Sequence, residues 1–235
     1  MPTGQSSSGS YSSTQNQGVQ NTPKNPLSNS RRDAAMGRQA SRFNFGIAIG
    51  SAHAVTDIGG SKDMGFGDFL SYQTSNYGLK FGIYGQYQMN YWFALSFGMD
   101  YGSYQGAHMV DDGVYGGYRF ENNIFEFFAK TEFHAPFLYS SPADLYLFTG
   151  IGLFFNDMRL FNADNRPQTI STDFSQTQPA IPLGIGFGYT FNNIIRVGYE
   201  LGYRYTMFNF FDGVDDLSNS YDKYFSNTLK ISLNF

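Results

Sequence analysis

The chain has 235 residues, with 15 Lys and Arg against 19 Asp and Glu, no cysteine and a mean hydropathy of −0.34. A net charge of −4 argues against a nucleic-acid partner, and the lack of cysteine removes disulfides, thiolate metal sites and thiol nucleophiles. With 25 Phe, 18 Tyr and 27 Gly, and no apolar run approaching ~18 residues, the composition favours strands and turns and excludes a transmembrane helix.

Residues 1–41 are dominated by Ser, Gln, Asn, Gly and Thr, and such a segment cannot bury a core. They are expected to form a disordered polar tail ahead of a second region, 42–235. The tail turns basic toward its end, where Lys24, Arg31, Arg32, Arg38 and Arg42 face Asp33 alone. These five cations belong either to a solvated linker or to a docking arm, and under the second reading they are the candidate contact for a partner. Met1-Pro2-Thr3-Gly4-Gln5 opens onto polar residues without an apolar core, so an exported chain is expected here in mature form.

From Phe43 the hydrophobic period becomes two. Phe43, Phe45, Ile47 and Ile49 share one face of the first strand, with Asn44, Gly46, Ala48 and Gly50 on the other. The second sets Tyr77, Leu79, Phe81, Ile83, Tyr87 and Met89 against Gly78, Lys80, Gly82, Tyr84, Gln86 and Gln88. The third sets Phe93, Leu95, Phe97, Met99 and Tyr101 against Ala94, Ser96, Gly98, Asp100 and Gly102. In the fourth, Phe125, Phe127, Ala129, Thr131 and Phe133 oppose Glu126, Phe128, Lys130, Glu132 and His134.

The fifth strand, Leu145 to Asn156, is apolar or glycine on both faces, and Leu147, Thr149, Ile151, Leu153 and Phe155 are placed outward. The sixth sets Ile181, Leu183, Ile185, Phe187, Tyr189 and Phe191 against Pro182, Gly184, Gly186, Gly188 and Thr190. The seventh sets Ile195, Val197, Tyr199, Leu201, Tyr203 and Tyr205 against Arg196, Gly198, Glu200, Gly202 and Arg204. The eighth sets Phe225, Leu229, Ile231, Leu233 and Phe235 against Ser226, Thr228, Lys230, Ser232 and Asn234.

Eight strands of about ten residues or more match an eight-stranded antiparallel transmembrane β-barrel of the outer-membrane type. Short connections are expected at Asn90-Tyr91, 136–144 and Asn192-Asn193, and long ones at 53–76, 104–122, 159–178 and 208–223. Short turns belong to the periplasmic side, which places both chain ends there.

Volume decides which face is inside. An eight-stranded barrel holds only the side chains that fill it, and roughly forty bulky apolar residues do not fit. The apolar face therefore meets lipid. The glycine-rich face lines the lumen and carries Lys80, Lys130, Arg196, Arg204 and Lys230 against Asp100, Glu126, Glu132 and Glu200. Buried ions persist only when paired, so these nine should form a network that plugs the lumen. Tyr91-Trp92, and Tyr203 with Tyr205, suit interfacial girdles.

Little in the chain suggests chemistry. Ser51 beside His53, and Ser103 near His108, place a hydroxyl near an imidazole, without a spacing diagnostic of catalysis. Asp111-Asp112 and Asp212-Gly213-Val214-Asp215-Asp216 lack the alternating ligands and closing Glu of a calcium loop. No cofactor or metal is expected.

Two resemblances add to this reading. Lys230-Ile231-Ser232-Leu233-Asn234-Phe235 resembles the closing strand of outer-membrane barrels, in which an aromatic terminus such as Phe235 is what barrel assembly recognises. Gly65-Phe66-Gly67-Asp68, Phe120-Glu121-Asn122-Asn123-Ile124-Phe125-Glu126, Phe148-Thr149-Gly150-Ile151-Gly152 and Gly202-Tyr203-Arg204-Tyr205-Thr206 form an ordered set of short runs. With Phe211-Asp212-Gly213-Val214-Asp215-Asp216 and Tyr221, the set resembles the PorG-like outer-membrane proteins of the type IX secretion and gliding machinery of Bacteroidetes. Asn209-Phe210-Phe211-Asp212 departs from the acidic start expected of that last loop. The resemblance implies a non-enzymatic component that contacts the periplasmic lipoprotein ring of the secretion apparatus. A lipid-modifying enzyme and a surface adhesin or membrane-stabilising barrel are the alternatives.

Overall fold

A computed structural model describes residues 42–56, 74, 76–107, 117–138, 141–168, 175–207, 211 and 222–235. Its strands are β1 (Phe43–Val55), β2 (Gly78–Gln88), β3 (Phe93–Ala107), β4 (Arg119–His134) and β5 (Ala143–Phe161). They continue with β6 (Pro167–Gln168), β7 (Thr177–Phe191), β8 (Ile195–Thr206) and β9 (Lys223–Asn234). Eight of them close a ring of antiparallel pairs: β1 to β5 in order, then β7, β8 and β9, which returns to β1. The short β6 folds back on the end of β5 and stays outside the ring.

The registers fix the barrel's dimensions. Paired residues lead from Phe43 through Tyr87, Leu95, Thr131, Thr149, Leu183, Tyr203 and Phe225 back onto β1 at His53. The path leaves β1 at residue 43 and returns at residue 53, a stagger of 10 residues. Eight strands so staggered tilt by about 40° and enclose a space that side chains fill.

Burial is inverted relative to a water-soluble protein. Ile151 is 72% exposed, Leu147 59% and Ile47 58%, while Glu132 is 0% and Glu126 2%. Apolar side chains on the outside of a closed sheet and ions within it describe a barrel whose solvent is lipid. The turns agree. Asn192 and Asn193 have φ of 48° and 60°, and the Ile194 amide donates to the Phe191 carbonyl at 3.0 Å, the type I′ geometry of a tight hairpin. With the β2–β3 turn, where Met89 and Asn90 donate to the Phe93 carbonyl, it marks the short-turn rim, which is the periplasmic one. Arg42 and Phe235 lie at that rim, Phe235 N donating to the Phe43 carbonyl at 2.8 Å. The protein is an outer-membrane barrel whose first and last described residues, Arg42 and Phe235, lie on the periplasmic side.

Two expectations need correction. Asp144 belongs to β5 rather than to the preceding connection, and its register partner is Gly188. The other concerns the opposite rim, where β3, β4 and β5 run on to Ala107, Arg119 and Phe161, well into the spans expected as loops. Apolar periodicity stops at Tyr101, Phe125 and Phe155 because the outward positions beyond them, Gln105, Asn123, Glu121, Asp157 and Arg159, leave the lipid. Pairing continues because the inward positions Tyr104, Phe120, Ile124, Phe154, Met158 and Leu160 pack together with Phe211 and Tyr224. One side of the barrel thus rises above the apolar belt as a β-sheet wall.

Candidate functional site

The lumen is built in tiers. Nearest the periplasm, Arg196 Nη2 meets Asp144 Oδ2 at 2.5 Å, and His134 Nδ1 lies 3.0 Å from both Asp144 oxygens. Arg196 Nη1 donates to Gln86 Oε1 at 3.0 Å, and Gln86 Nε2 donates to Glu132 Oε2 at 2.5 Å.

The middle tier is centred on Glu200. Lys230 Nζ donates to it at 2.6 Å, Lys130 Nζ at 3.0 Å and the Tyr146 hydroxyl at 2.9 Å. Both ammonium groups also sit over rings. Lys230 lies 4.0 Å from the Tyr84 centroid, and Lys130 lies 4.4 Å from Phe148 and 4.7 Å from Phe128. Glycines across the register admit these rings: Gly184 faces Phe148 and Gly186 faces Tyr146. A Cβ on Gly186 would collide with the Tyr146 ring.

In the upper tier Arg204 Nε donates to Glu126 at 2.8 and 3.1 Å, and Lys80 Nζ meets Asp100 Oδ2 at 2.7 Å. Above it the lumen closes with aromatic rings. Phe211 is 1% exposed, stacks on Tyr224 at 5.1 Å and lies edge-on to Tyr104 at 5.5 Å. Its amide donates to Asp222 Oδ2 and its carbonyl accepts from Asn122 Nδ2, both at 2.8 Å.

All nine ions expected in the lumen lie there, each no more than 9% exposed. With Asp222, which accepts from the Phe211 amide, Asp144 brings the buried carboxylates to six (Asp100, Glu126, Glu132, Asp144, Glu200, Asp222) against five cations (Lys80, Lys130, Arg196, Arg204, Lys230). The signal for Asp144 is its parity, since 144, 146 and 148 alternate with the outward residues. It precedes the apolar run, which begins at Leu145, and is hidden for that reason. Lys24, Arg31, Arg32 and Arg38 lie outside the described residues, as do His108, Gly65-Phe66-Gly67-Asp68 and the acidic runs. Arg42 is exposed at the periplasmic rim, and its carbonyl accepts from Gln88 N at 2.8 Å. Phe235 is 69% exposed at the same rim.

Among the described residues, the outward positions of β1 and β9 carry a polar cluster, besides the outward threonine pair Thr131 and Thr149 on β4 and β5. Ser51 Oγ lies 2.8 Å from His53 Nε2, and Asn227 Nδ2 lies 3.2 Å from the hydroxyl and 3.3 Å from the same imidazole nitrogen. The His53 ring is stacked on Phe225 at 4.5 Å with an interplanar angle of 7°.

No family model and no curated protein matches the chain. Among solved structures it is similar to a major outer membrane protein of Thermus thermophilus, at 12% identity over 82% of this chain and 99% of that one, with a TM-score of 0.49. It is similar to Neisserial surface protein A at 15% identity, over 82% and 97% of the two chains, with a TM-score of 0.48. It is also similar to Ail, the attachment invasion locus protein of Yersinia pestis, at 12% identity over 83% and 99%, with a TM-score of 0.44.

Proposed function

We propose that the protein is a non-conducting scaffold of the outer membrane, one that holds a periplasmic assembly in place. The filled lumen carries this reading: among the described residues, three tiers of paired ions and an aromatic seal occupy the interior, so the barrel works through its surfaces. The likeness of its ordered motifs to the PorG-like proteins supports the lipoprotein ring of the type IX secretion and gliding machinery as the assembly held. Such a role calls for no catalysis, metal or cofactor.

A periplasmic face made of short turns offers little area. The contact is therefore assigned to the basic segment Lys24, Arg31, Arg32, Arg38 and Arg42. Removing residues 1–41 from the intact barrel should release the partner lipoprotein in co-purification. A shortened barrel that still brings down the ring would show that the tail is not the anchor.

A second reading, a surface adhesin or membrane-stabilising barrel, is favoured by the wall at the outer rim. It presents Arg119 and Glu121, 3.8 Å apart, and Arg159 and Asp157, 3.9 Å apart, with all four side chains exposed. Under that reading, replacing the wall's outward residues abolishes surface binding and leaves the co-purification unchanged.

A further inference from the structure

Between Phe43 and Ile49 the outward face of β1 is wholly apolar, as is that of β9 from Leu229 to Leu233. Just above, Ser51 pairs with Asn227 and His53 with Phe225; one step higher, Val55 pairs with Lys223. The polar cluster therefore sits in the outer-leaflet part of the belt, one residue pair below the first outward ammonium group. Apart from tyrosines, His53 is the one ionisable side chain at an outward position of the belt among the described residues, and it is buried, at 6% exposure. A buried imidazole needs polar partners, and Ser51 and Asn227 supply them to its Nε2.

We propose that Ser51, His53 and Asn227 form a hydrolytic site for carboxylic esters of outer-leaflet lipids. The proposal goes beyond the scaffold role and uses none of the residues assigned to it. Ser51 is the nucleophile and is half-buried at the lipid face. His53 is the base: its Nε2 is within hydrogen-bond reach of the hydroxyl, and the stacked Phe225 ring holds its plane. Asn227 Nδ2 is a donor beside the attacking oxygen, placed to bond the oxyanion that forms on the ester carbonyl.

The steps balance without a cofactor. Ser51 Oγ adds to the ester carbonyl as its proton passes to His53 Nε2. The tetrahedral adduct expels the alcohol, which takes that proton, and leaves the acyl group on Ser51. Interfacial water then gives a proton to His53 and its oxygen to the acyl carbon. Collapse releases the fatty acid as Ser51 recovers its proton. The net change is ester plus water to alcohol plus acid.

The test uses the full chain in vesicles, one set of phosphatidylethanolamine alone and one with added lipopolysaccharide. Comparing the two identifies which lipid's ester is cut. Fatty acid should be released, and Ser51→Ala or His53→Gln should each lower the rate by at least about a hundredfold. Asn227→Ala should slow release, and Asn227→Gln should restore part of it. A long-chain fluorophosphonate should modify Ser51, as located by mass spectrometry in the unmodified protein, a readout that no variant's folding can confuse. Heat-modified gel mobility confirms that each variant is folded. Absence of release from both vesicle sets with no label on Ser51, or release that survives Ser51→Ala, would overturn the proposal and leave the scaffold reading untouched.

Discussion

Glu200 serves three donors at once, Lys130, Lys230 and the Tyr146 hydroxyl, and it is 7% exposed. Replacing it with leucine strands two ammonium groups in a closed interior, and losing one member of a buried ion pair costs about 3–5 kcal/mol. Glu200→Leu should therefore lower the temperature of the heat-modified gel shift, and an unchanged temperature would mean that the lumen is wet enough to solvate both lysines. Parity makes most of this network legible in the amino-acid sequence, because every cation and four of the carboxylates sit on the glycine face of a regular alternation. Asp144 escapes because the apolar run on which that alternation is read begins only at Leu145. The partnership of Ser51 and His53 with Asn227 is beyond reach for another reason. Asn227 lies 176 positions from Ser51, and only the closure of β9 on β1 makes them neighbours.

At the scale of elements, the wall formed by β3, β4 and β5 shows where hydrophobic periodicity stops being a guide to strand length. Its outward residues turn polar where the lipid ends, while its inward residues keep building a core around Phe211 and Tyr224. Removing a buried phenylalanine ring costs about 3–5 kcal/mol. Phe211→Ala should lower the unfolding free energy in detergent by that order, measured by denaturant titration. A change within about 0.5 kcal/mol would remove Phe211 from the core. The hairpin turn is more transparent. Asn192-Asn193 is a pair whose side chains tolerate positive φ, and it lies between two alternating runs.

For the whole molecule, the seal decides conductance. Among the described residues, ion tiers below and aromatic rings above fill the lumen, so the unmodified protein in a planar bilayer should show no single-channel steps. Stable steps of defined size would refute the plugged lumen. The same cross-barrel pairing governs how the chain enters the bilayer. Lys130 is matched by Glu200, 70 positions later, Glu126 by Arg204, 78 later, and Gln86 by Arg196, 110 later. Until β8 has arrived, a partial sheet would expose the charges of β4 to hydrocarbon with no counter-ion from across the lumen. Its edge amides would be equally unmet. Half-inserted forms thus lie uphill of both the unfolded chain in water and the closed barrel. Insertion is therefore expected to be cooperative, complete only once β8 brings the counter-charges of β4 into the sheet.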